Sequence, residues 1–569
     1  MSDILEQSVC KIDELQIKEK KVVRIENVGI VLYRKSETEI IAFGNRCSHY
    51  SAPLINGNVF FLYMIRISCI TEFQSNYSGV IYGDLAICPW HGACFNIRTG
   101  DIEEFPGCNN IPTFDIEIRD DEVFLRAKKE KFVTSIQRIS IRRMSTNEQT
   151  IIVIGGGPAG FQCAETLRQE IAGFDGRIIL ISDEDAIPYD RTKLSKNLAS
   201  KLENIVLRNE DYYQQAQIEL KLQTKCQRLD TDTQMVYLND GTAIHYDKCF
   251  IATGSRPRKY NSPMLNENIE NIFYLRTYRD ANNIHNQINE DKNVVLIGSS
   301  FIVIEIACSI IKLAKSITII SRTDVPYSRT LGRRIGAAIK KVLISKNIRF
   351  LCTGSSSPLE FVLDEESNRL IRIKSPEFAE HIECDVCVIG IGSVPNTEFL
   401  RESSSSNIKL SDNNCIIVDE NFQTSVPNVY AGGDVCVYPN HIFDDQMMNI
   451  AHWQTAQAHG RQASLAMMNR LAPLETRFQS VTFFWSAIFG KGIRFAGIVN
   501  DPDDCLIDGD IIDLHFVAYY FRDDRVIGVA TIGRDPLASA FAALLRDNKI
   551  LTKQDIESNP NAWFENNFS

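Results

Sequence analysis

Ile151-Ile-Val-Ile-Gly-Gly-Gly-Pro-Ala-Gly160 decides how the chain is read. Its four β-branched residues make the short apolar run that a buried parallel strand needs. The run breaks into Gly155-x-Gly157-x-x-Gly160 and continues as a predicted helix from Phe161 to Glu170. Strand, glycine turn and helix in that order form a dinucleotide fingerprint. Gly155 permits the tight turn, Gly157 lets the backbone approach a pyrophosphate, and Gly160 lets helix and strand pack closely, with Pro158 and Ala159 opening the helix toward the phosphates.

Working outward, 569 residues are too many for one core, and roughly three or four domains are expected. A net charge of -11 argues against a nucleic-acid surface. No apolar run reaches the ~18 residues of a membrane helix. The segment 1–21 mixes Asp, Glu and Lys and resembles neither a secretory signal nor a transit peptide. Sixteen cysteines scattered without a framework fit a reducing compartment, so the cytoplasm is the expected location.

Residues 21–128 alternate short strands with turns (Val22–Ile25, Ile30–Tyr33, Glu39–Phe43, Asp115–Ile118, Val123–Leu125), as a small all-β domain does. Within it lie Cys47-Ser-His49 and Cys88-Pro-Trp-His91. Two thiolates and two imidazoles on separate loops suit a Rieske [2Fe–2S] centre, with one iron on Cys47 and Cys88 and the other on His49 and His91. They also suit zinc. The stretches Cys47-Ser-His-Tyr-Ser-Ala-Pro-Leu54 and Cys88-Pro-Trp-His-Gly-Ala-Cys-Phe-Asn96 resemble the Rieske family. Respiratory Rieske proteins carry an extra, disulfide-forming cysteine in each loop. Ala52 and Trp90 stand there, so the resemblance is to the ferredoxin type, which runs at lower potential. Cys94 is expected to pack as a small hydrophobe. Residues 58–79 read as an atypical insert, a retained intron or an excursion from the fold. A charged stretch, 129–148, reads as a tether that lets this domain sit against the next without fixing it there.

Beyond the fingerprint, Arg177-Ile-Ile-Leu-Ile-Ser-Asp183 is a second strand whose terminal Asp183 is placed for a ribose hydroxyl. Pro188-Tyr-Asp-Arg-Thr-Lys-Leu-Ser-Lys196 has no redox cysteine pair, which makes thiol–disulfide chemistry unexpected, and offers Arg191 and Lys196 for phosphate or flavin oxygens. The strand Asp247 to Arg258 runs through Ala252-Thr253-Gly254, the usual exit from a flavin-binding half, and carries Arg258 at its end. Downstream, Val426 to Asp434 places Asp434 at a helix start, where two-nucleotide flavoproteins hold the ribityl chain. Together these pieces indicate FAD. Between them, Asn293-Val-Val-Leu-Ile-Gly-Ser-Ser-Phe-Ile-Val-Ile-Glu305 is a second nucleotide unit, with Gly298, Ser300, Phe301, Ile302 and Glu305 toward its cofactor and Val303 in place of the third glycine. The following strand ends in Ser321-Arg322, not in an acid, and leaves NADH and NADPH both open. Cys384-Asp-Val-Cys387 is read as one strand with its thiols on opposite faces.

With Asn449-Ile-Ala-His-Trp-Gln-Thr-Ala-Gln-Ala-His-Gly-Arg461 and Phe483-Phe-Trp-Ser-Ala-Ile-Phe-Gly490 added, the chain resembles the apoptosis-inducing-factor-like oxidoreductases that carry a Rieske domain, built like a bacterial ferredoxin reductase fused to its own ferredoxin. The resemblance covers nearly everything from residue 21 except the insert. It implies a multidomain fold: an N-terminal all-β Rieske domain (21–128), two interleaved Rossmann-like α/β domains for FAD (149–274 and 395–475) and NAD(P) (275–394), and a C-terminal α/β reductase domain (476–569). It places Trp453 near the flavin and Gly392 near the nicotinamide half. It implies transfer from NADH or NADPH through FAD to the cluster and on to an acceptor it does not name; no acid–base catalytic residue is demanded. A homodimer, a mitochondrial location and an association with apoptosis come with the resemblance alone. A redox-sensing protein with little turnover, and a Rieske domain feeding an oxygenase, are the other readings.

Overall fold

The computed structural model describes residues 3–55, 79–138, 140–141, 143–144, 146–265, 269–354, 357–401, 406–471, 478 and 480–568. The insert read at 58–79 lies outside the described residues except for Gly79.

The N-terminal unit is two antiparallel sheets. Six strands run in the order Ile4–Lys11, Glu122–Lys128, Thr113–Arg119, Ile40–Gly44, Val28–Arg34, Lys20–Ile25, and four form a meander from Val80–Tyr82 to Ile102–Glu104. The strand Ile4–Lys11, ahead of residue 21, is part of this sheet through its pairing with Glu122–Lys128. Two five-stranded parallel sheets follow. The first has the order Ile218–Lys221, Arg177–Ile181, Thr150–Ile154, Lys248–Ile251, Val429–Ala431. Its last strand comes from far downstream, because the second sheet is inserted in the chain between them. That sheet orders Ile272–Phe273, Val386–Ile389, Asn293–Ile297, Ser316–Ser321, Ile348–Cys352. The chain crosses between the halves on an antiparallel pair, Ser255–Pro257 with Ser393–Pro395. A five-stranded antiparallel sheet (residues 483–532) backed by helix Leu537–Arg546 completes the chain. Among the described residues no helix is long and apolar enough to cross a membrane.

Two expectations are corrected here. In its described residues the stretch 129–148 is a strap, not a loose tether. Asn110 and Ile136 exchange backbone hydrogen bonds, Ile141 N–H donates to Arg168 O at 2.7 Å, and Met144 N–H donates to Asp175 O at 2.8 Å. The first pair ties the strap to the N-terminal unit and the other two bonds tie it to the first parallel-sheet unit; such groups resist loss, since each broken bond must be replaced by water. The Cys384–Cys387 segment is not one strand. Ile382–Glu383 belongs to a small antiparallel sheet and Val386–Ile389 to the parallel one, and the chain bends between them. Alternation therefore stops at Asp385, whose carboxylate accepts Asn293 N–H, and both buried thiols turn into one core and meet.

Candidate functional site: two nucleotide clefts and a docked Cys–His centre

The Cys–His centre is built from two loops of matching design. The first follows strand Ile40–Gly44. Asn45 closes it by donating to Ile55 O (2.8 Å) and accepting Ile55 N–H (2.7 Å), and Cys47 N–H donates to Ala52 O at 2.9 Å. In the second, Cys88 N–H donates to Ala93 O at 2.8 Å and Gly92 turns the chain at φ +76°. Both cysteines are buried and their thiols are hydrogen-bonding neighbours. Backbone N–H groups of His49 and Tyr50 point at the Cys47 sulfur, and those of Trp90 and His91 at the Cys88 sulfur, as a charged thiolate ligand requires. The imidazoles face each other, Nδ1 to Nδ1, at 3.2 Å. Burial pushes His49 down to about 4 and His91 well below its ordinary value, so both rings are in the neutral, ligating form. The donors thus come as two pairs, and among the described residues no three His, Cys, Asp or Glu gather at one point. A zinc ion asks for four donors together, a two-iron cluster for two at each end; the arrangement fits the cluster. Cys94 lies buried beside Val80 and Ile87, its thiol pushed up to about 12 by burial.

The centre packs against the rest of the chain, with His49 and His91 left partly exposed. The His91 ring lies 4.6 Å from Trp485 and His49 5.9 Å from it. Tyr50 OH donates to Asp190, Arg494 to Trp90 O at 3.3 Å, Ser539 Oγ to Cys88 O at 3.1 Å and Gln457 to Gly107 O at 3.3 Å. Arg208, in a buried pair with Glu165, donates to Cys108 O (2.7 Å) and Asn109 Oδ1 (2.6 Å). Trp485 was not marked out by sequence, although its segment was. Nothing local in Phe-Trp-Ser distinguishes it from core.

In the first nucleotide unit, Gly155 has φ +120°, and a Cβ on Gly160 would stand 1.9 Å from Gly155 O. Around Gly157, by contrast, a Cβ would meet nothing within 4 Å. The turn is therefore filled on its protein side and open at the head of helix Pro158–Leu167, with Ala159 buried in its first turn, which fits a pyrophosphate. Asp183 is exposed at the end of its strand. Thr253 Oγ1 donates to Asn396 O at 2.8 Å, beside Gly254 at φ +66°. Asp434 accepts Ser255 Oγ at 2.8 Å and lies 3.6 Å from Arg276. His459 pins that turn: burial holds it down to about 3, and its neutral Nδ1 accepts Gly433 N–H at 3.1 Å. Trp453 opens helix Trp453–Met467 and is half-buried. Arg191 is already held by Glu184 and Tyr189.

In the second unit, Gly298 turns at φ +118°, and Ser300 stands at the head of helix Phe301–Ile310 with its hydroxyl donating to Gly390 O at 3.4 Å. Val303 stands where a glycine is usual, and its space comes from across the gap. A Cβ on Gly390 would lie 2.5 Å from Val303 Cγ2, so the glycine has moved to the facing strand end. Phe301 stacks on Tyr327 at 4.3 Å, while Ile302 is exposed. Arg258 donates to Ser393 O at 3.2 Å and its N–H to Gly392 O. Lys196 and Glu305, read as belonging to different cofactors, form one pair at 2.9 Å. Glu305 also accepts Ser195 Oγ and, from the C-terminal sheet, Ser486 Oγ at 2.6 Å. Ser486 follows Trp485, so a buried polar junction joins both nucleotide units to the wall of the Cys–His centre.

Residues 149–460 match the pyridine nucleotide-disulphide oxidoreductase family, residues 6–115 the Rieske [2Fe-2S] domain and residues 483–560 the reductase C-terminal domain. The chain is 34% identical over 563 residues to human apoptosis-inducing factor 3, covering 98% of this chain and 86% of that one. It is 28% identical over 397 residues to putidaredoxin reductase of Pseudomonas putida, covering 69% and 90%. Among solved structures, the reductase of the covalent putidaredoxin reductase–putidaredoxin complex superposes with a TM-score of 0.65 at 26% identity, over 71% of this chain and 94% of that one. A ferredoxin reductase from Rhodopseudomonas palustris gives 0.65 at 25%, over 72% and 96%.

Proposed function

The chain belongs to the pyridine nucleotide-disulphide oxidoreductase family, as a Rieske-bearing, ferredoxin-reductase-like oxidoreductase with FAD, a [2Fe–2S] cluster and a nicotinamide nucleotide as its cofactors, and on that premise we propose that it passes electrons from NAD(P)H by way of FAD to its own cluster and on to an acceptor outside the chain. FAD supplies the exchange between a two-electron hydride and one-electron traffic, and the cluster accepts one electron at a time.

The chain's own residues bind, orient and exclude water. Cys47 and Cys88 would hold one iron, His49 and His91 the other. Gly155, Gly157, Pro158, Ala159, Gly160, Asp183, Thr253, Gly254 and Asp434 would hold FAD, with Trp453 beside it. Gly298, Ser300, Phe301, Ile302, Glu305, Arg258, Gly392 and Arg322 would line the nicotinamide nucleotide's path, while Ser321, read from sequence as a contact, is buried and shapes the turn behind it. Lys196 serves the flavin side from its pair with Glu305, and Arg191 fixes Glu184 behind it. The N-terminal unit takes in the strand Ile4–Lys11 as well as 21–128, and it is followed by 149–274 with 395–475, 275–394 and 476–569, joined by 129–148.

The observation that carries this reading is the seating of His91 on Trp485, which turns the imidazole edge of the cluster site toward the flavoprotein body. Anaerobic titration of the holoprotein with NADH and then NADPH tests it. Flavin bleaching followed by a Rieske-type paramagnetic signal is expected, and bleaching with no signal at any stoichiometry sinks the internal path. Trp485→Leu should slow the appearance of that signal by on the order of tenfold, the factor that about 1.4 kcal/mol of lost aromatic docking gives. Flavin bleaching should keep its wild-type rate, and slowing of both steps together would refute the assigned role.

A second reading, a redox sensor with little turnover, draws on the same packing, because Trp485 against His91 and His49 leaves the imidazole edge only partly exposed and narrows an acceptor's approach. A cofactor-dependent change in assembly, such as homodimer formation, with slow reoxidation would favour it. Cytoplasmic and mitochondrial placements both stay compatible with a role of either kind, as does a link to apoptosis.

A further inference from the structure

We infer that the second nucleotide site selects NADPH over NADH, with the Arg322 guanidinium receiving the 2′-phosphate; this rests on the proposed function, in which that site takes the nicotinamide nucleotide.

The two nucleotides differ only at the adenosine 2′ position, which a dinucleotide unit reads at the end of its second strand. An acid there accepts the 2′ and 3′ hydroxyls and repels a phosphate. Here the strand Ser316–Ser321 ends in a serine that is turned inward. Ser321 is buried, donates to Ser299 Oγ at 2.8 Å and accepts Thr323 N–H at 3.1 Å, so its hydroxyl is spent on shaping the turn. The next acid, Asp324, is taken as well. Arg333 grips both its oxygens in a fork, at 3.0 and 2.7 Å, and holds its carboxyl below the usual range. Lys340 adds a bond to its backbone carbonyl at 2.9 Å. The position thus lacks a carboxylate free to bind ribose hydroxyls.

The cations, by contrast, are uncommitted. Arg322 and Arg329 are exposed, and neither side chain makes a hydrogen bond or ion pair among the described residues. The backbone of Arg322 is nonetheless fixed, its carbonyl accepting Cys352 Sγ at 3.7 Å from the neighbouring strand. A fixed backbone with a free guanidinium is what bidentate binding of a phosphate dianion needs. Arg329 adds positive charge on the turn that follows.

Calorimetric binding of adenosine 2′,5′-bisphosphate and of 5′-AMP to the holoprotein separates this inference from the functional reading, alongside anaerobic flavin reduction by each nucleotide. Wild-type protein should bind the bisphosphate more tightly than 5′-AMP and be reduced at lower NADPH than NADH. Arg322→Ala should weaken the bisphosphate by on the order of 30-fold, as loss of a charge-assisted bond does, and leave 5′-AMP unchanged. Arg322→Glu should move the preference to NADH with the flavin still bound, which shows the fold intact. Equal binding of the two probes, an NADH preference, or an unaltered Arg322→Ala overturns the inference. Bisphosphate binding lost in Arg322→Ala with no flavin reduction by either nucleotide upholds it and overturns the functional reading instead.

Discussion

Cys88→Ser is expected to abolish the Rieske-type paramagnetic signal while the flavin continues to bleach with nicotinamide nucleotide. Cys88 is fully buried and its loop is closed by its own N–H to Ala93 O, so a serine of similar size keeps the backbone bonds and the packing. It loses the thiolate, and the four backbone N–H groups aimed at the two sulfurs cannot make an alkoxide of it at neutral pH. Changes to partners one shell out already cost metal sites 10–100-fold in affinity, so removal of a ligand should lower bound iron by more than about 100-fold. Iron analysis and electron paramagnetic resonance on protein purified with full flavin read the outcome. Iron retained at two per chain would refute the assignment of Cys88.

The second large effect concerns the flavin half. Gly160→Ala places a methyl group 1.9 Å from Gly155 O and 3.2 Å from Val153 Cγ1, on backbone that cannot swing away. Relief requires the helix Pro158–Leu167 to lift from its strand, which also parts Ala159 from Gly460, where a Cβ would stand 2.2 Å from Ala159 O. The cost should be about 3 kcal/mol or more, seen as a lower unfolding midpoint of the apoprotein as well as lost flavin. Gly157→Ala is the matched control, since its methyl group meets nothing within 4 Å. It should leave apoprotein stability within about 1 kcal/mol of wild type and lower flavin occupancy by filling the approach of the pyrophosphate. Equal thermal losses in both variants would contradict this division between packing and binding.

Those two sites were legible in the sequence for a common reason. A cluster or a pyrophosphate demands fixed residue types at short spacing, so Cys47-Ser-His49, Cys88-Pro-Trp-His91 and the glycine turn carry their chemistry within one loop each. What stayed hidden joins residues far apart in the chain. Val303 breaks the second fingerprint locally, and Gly390, which makes room for it, lies on another strand. Cys384 and Cys387 meet because the chain changes sheets at Asp385, a bend that period-two reading cannot foresee. Polar composition made 129–148 look like a tether, but its backbone bonds to the flavin half depend on partners such as Arg168 and Asp175 that composition does not reveal. Trp485 touches His91 nearly four hundred positions away, and only the folded chain puts it there.

The strap and the seated imidazoles bear on how the protein behaves when it is scarce. Two separate proteins must find each other by diffusion, and their exchange slows as either is diluted or as salt screens their attraction. A Rieske unit tied through Ile136, Ile141 and Met144 and lodged against Trp485 meets its reductase at an effective concentration set by the fold, in the millimolar range even for short flexible tethers. On the proposed path, one copy in a cell would pass charge between its halves as readily as a crowd of them, and dilution would reach only the encounter with the acceptor outside.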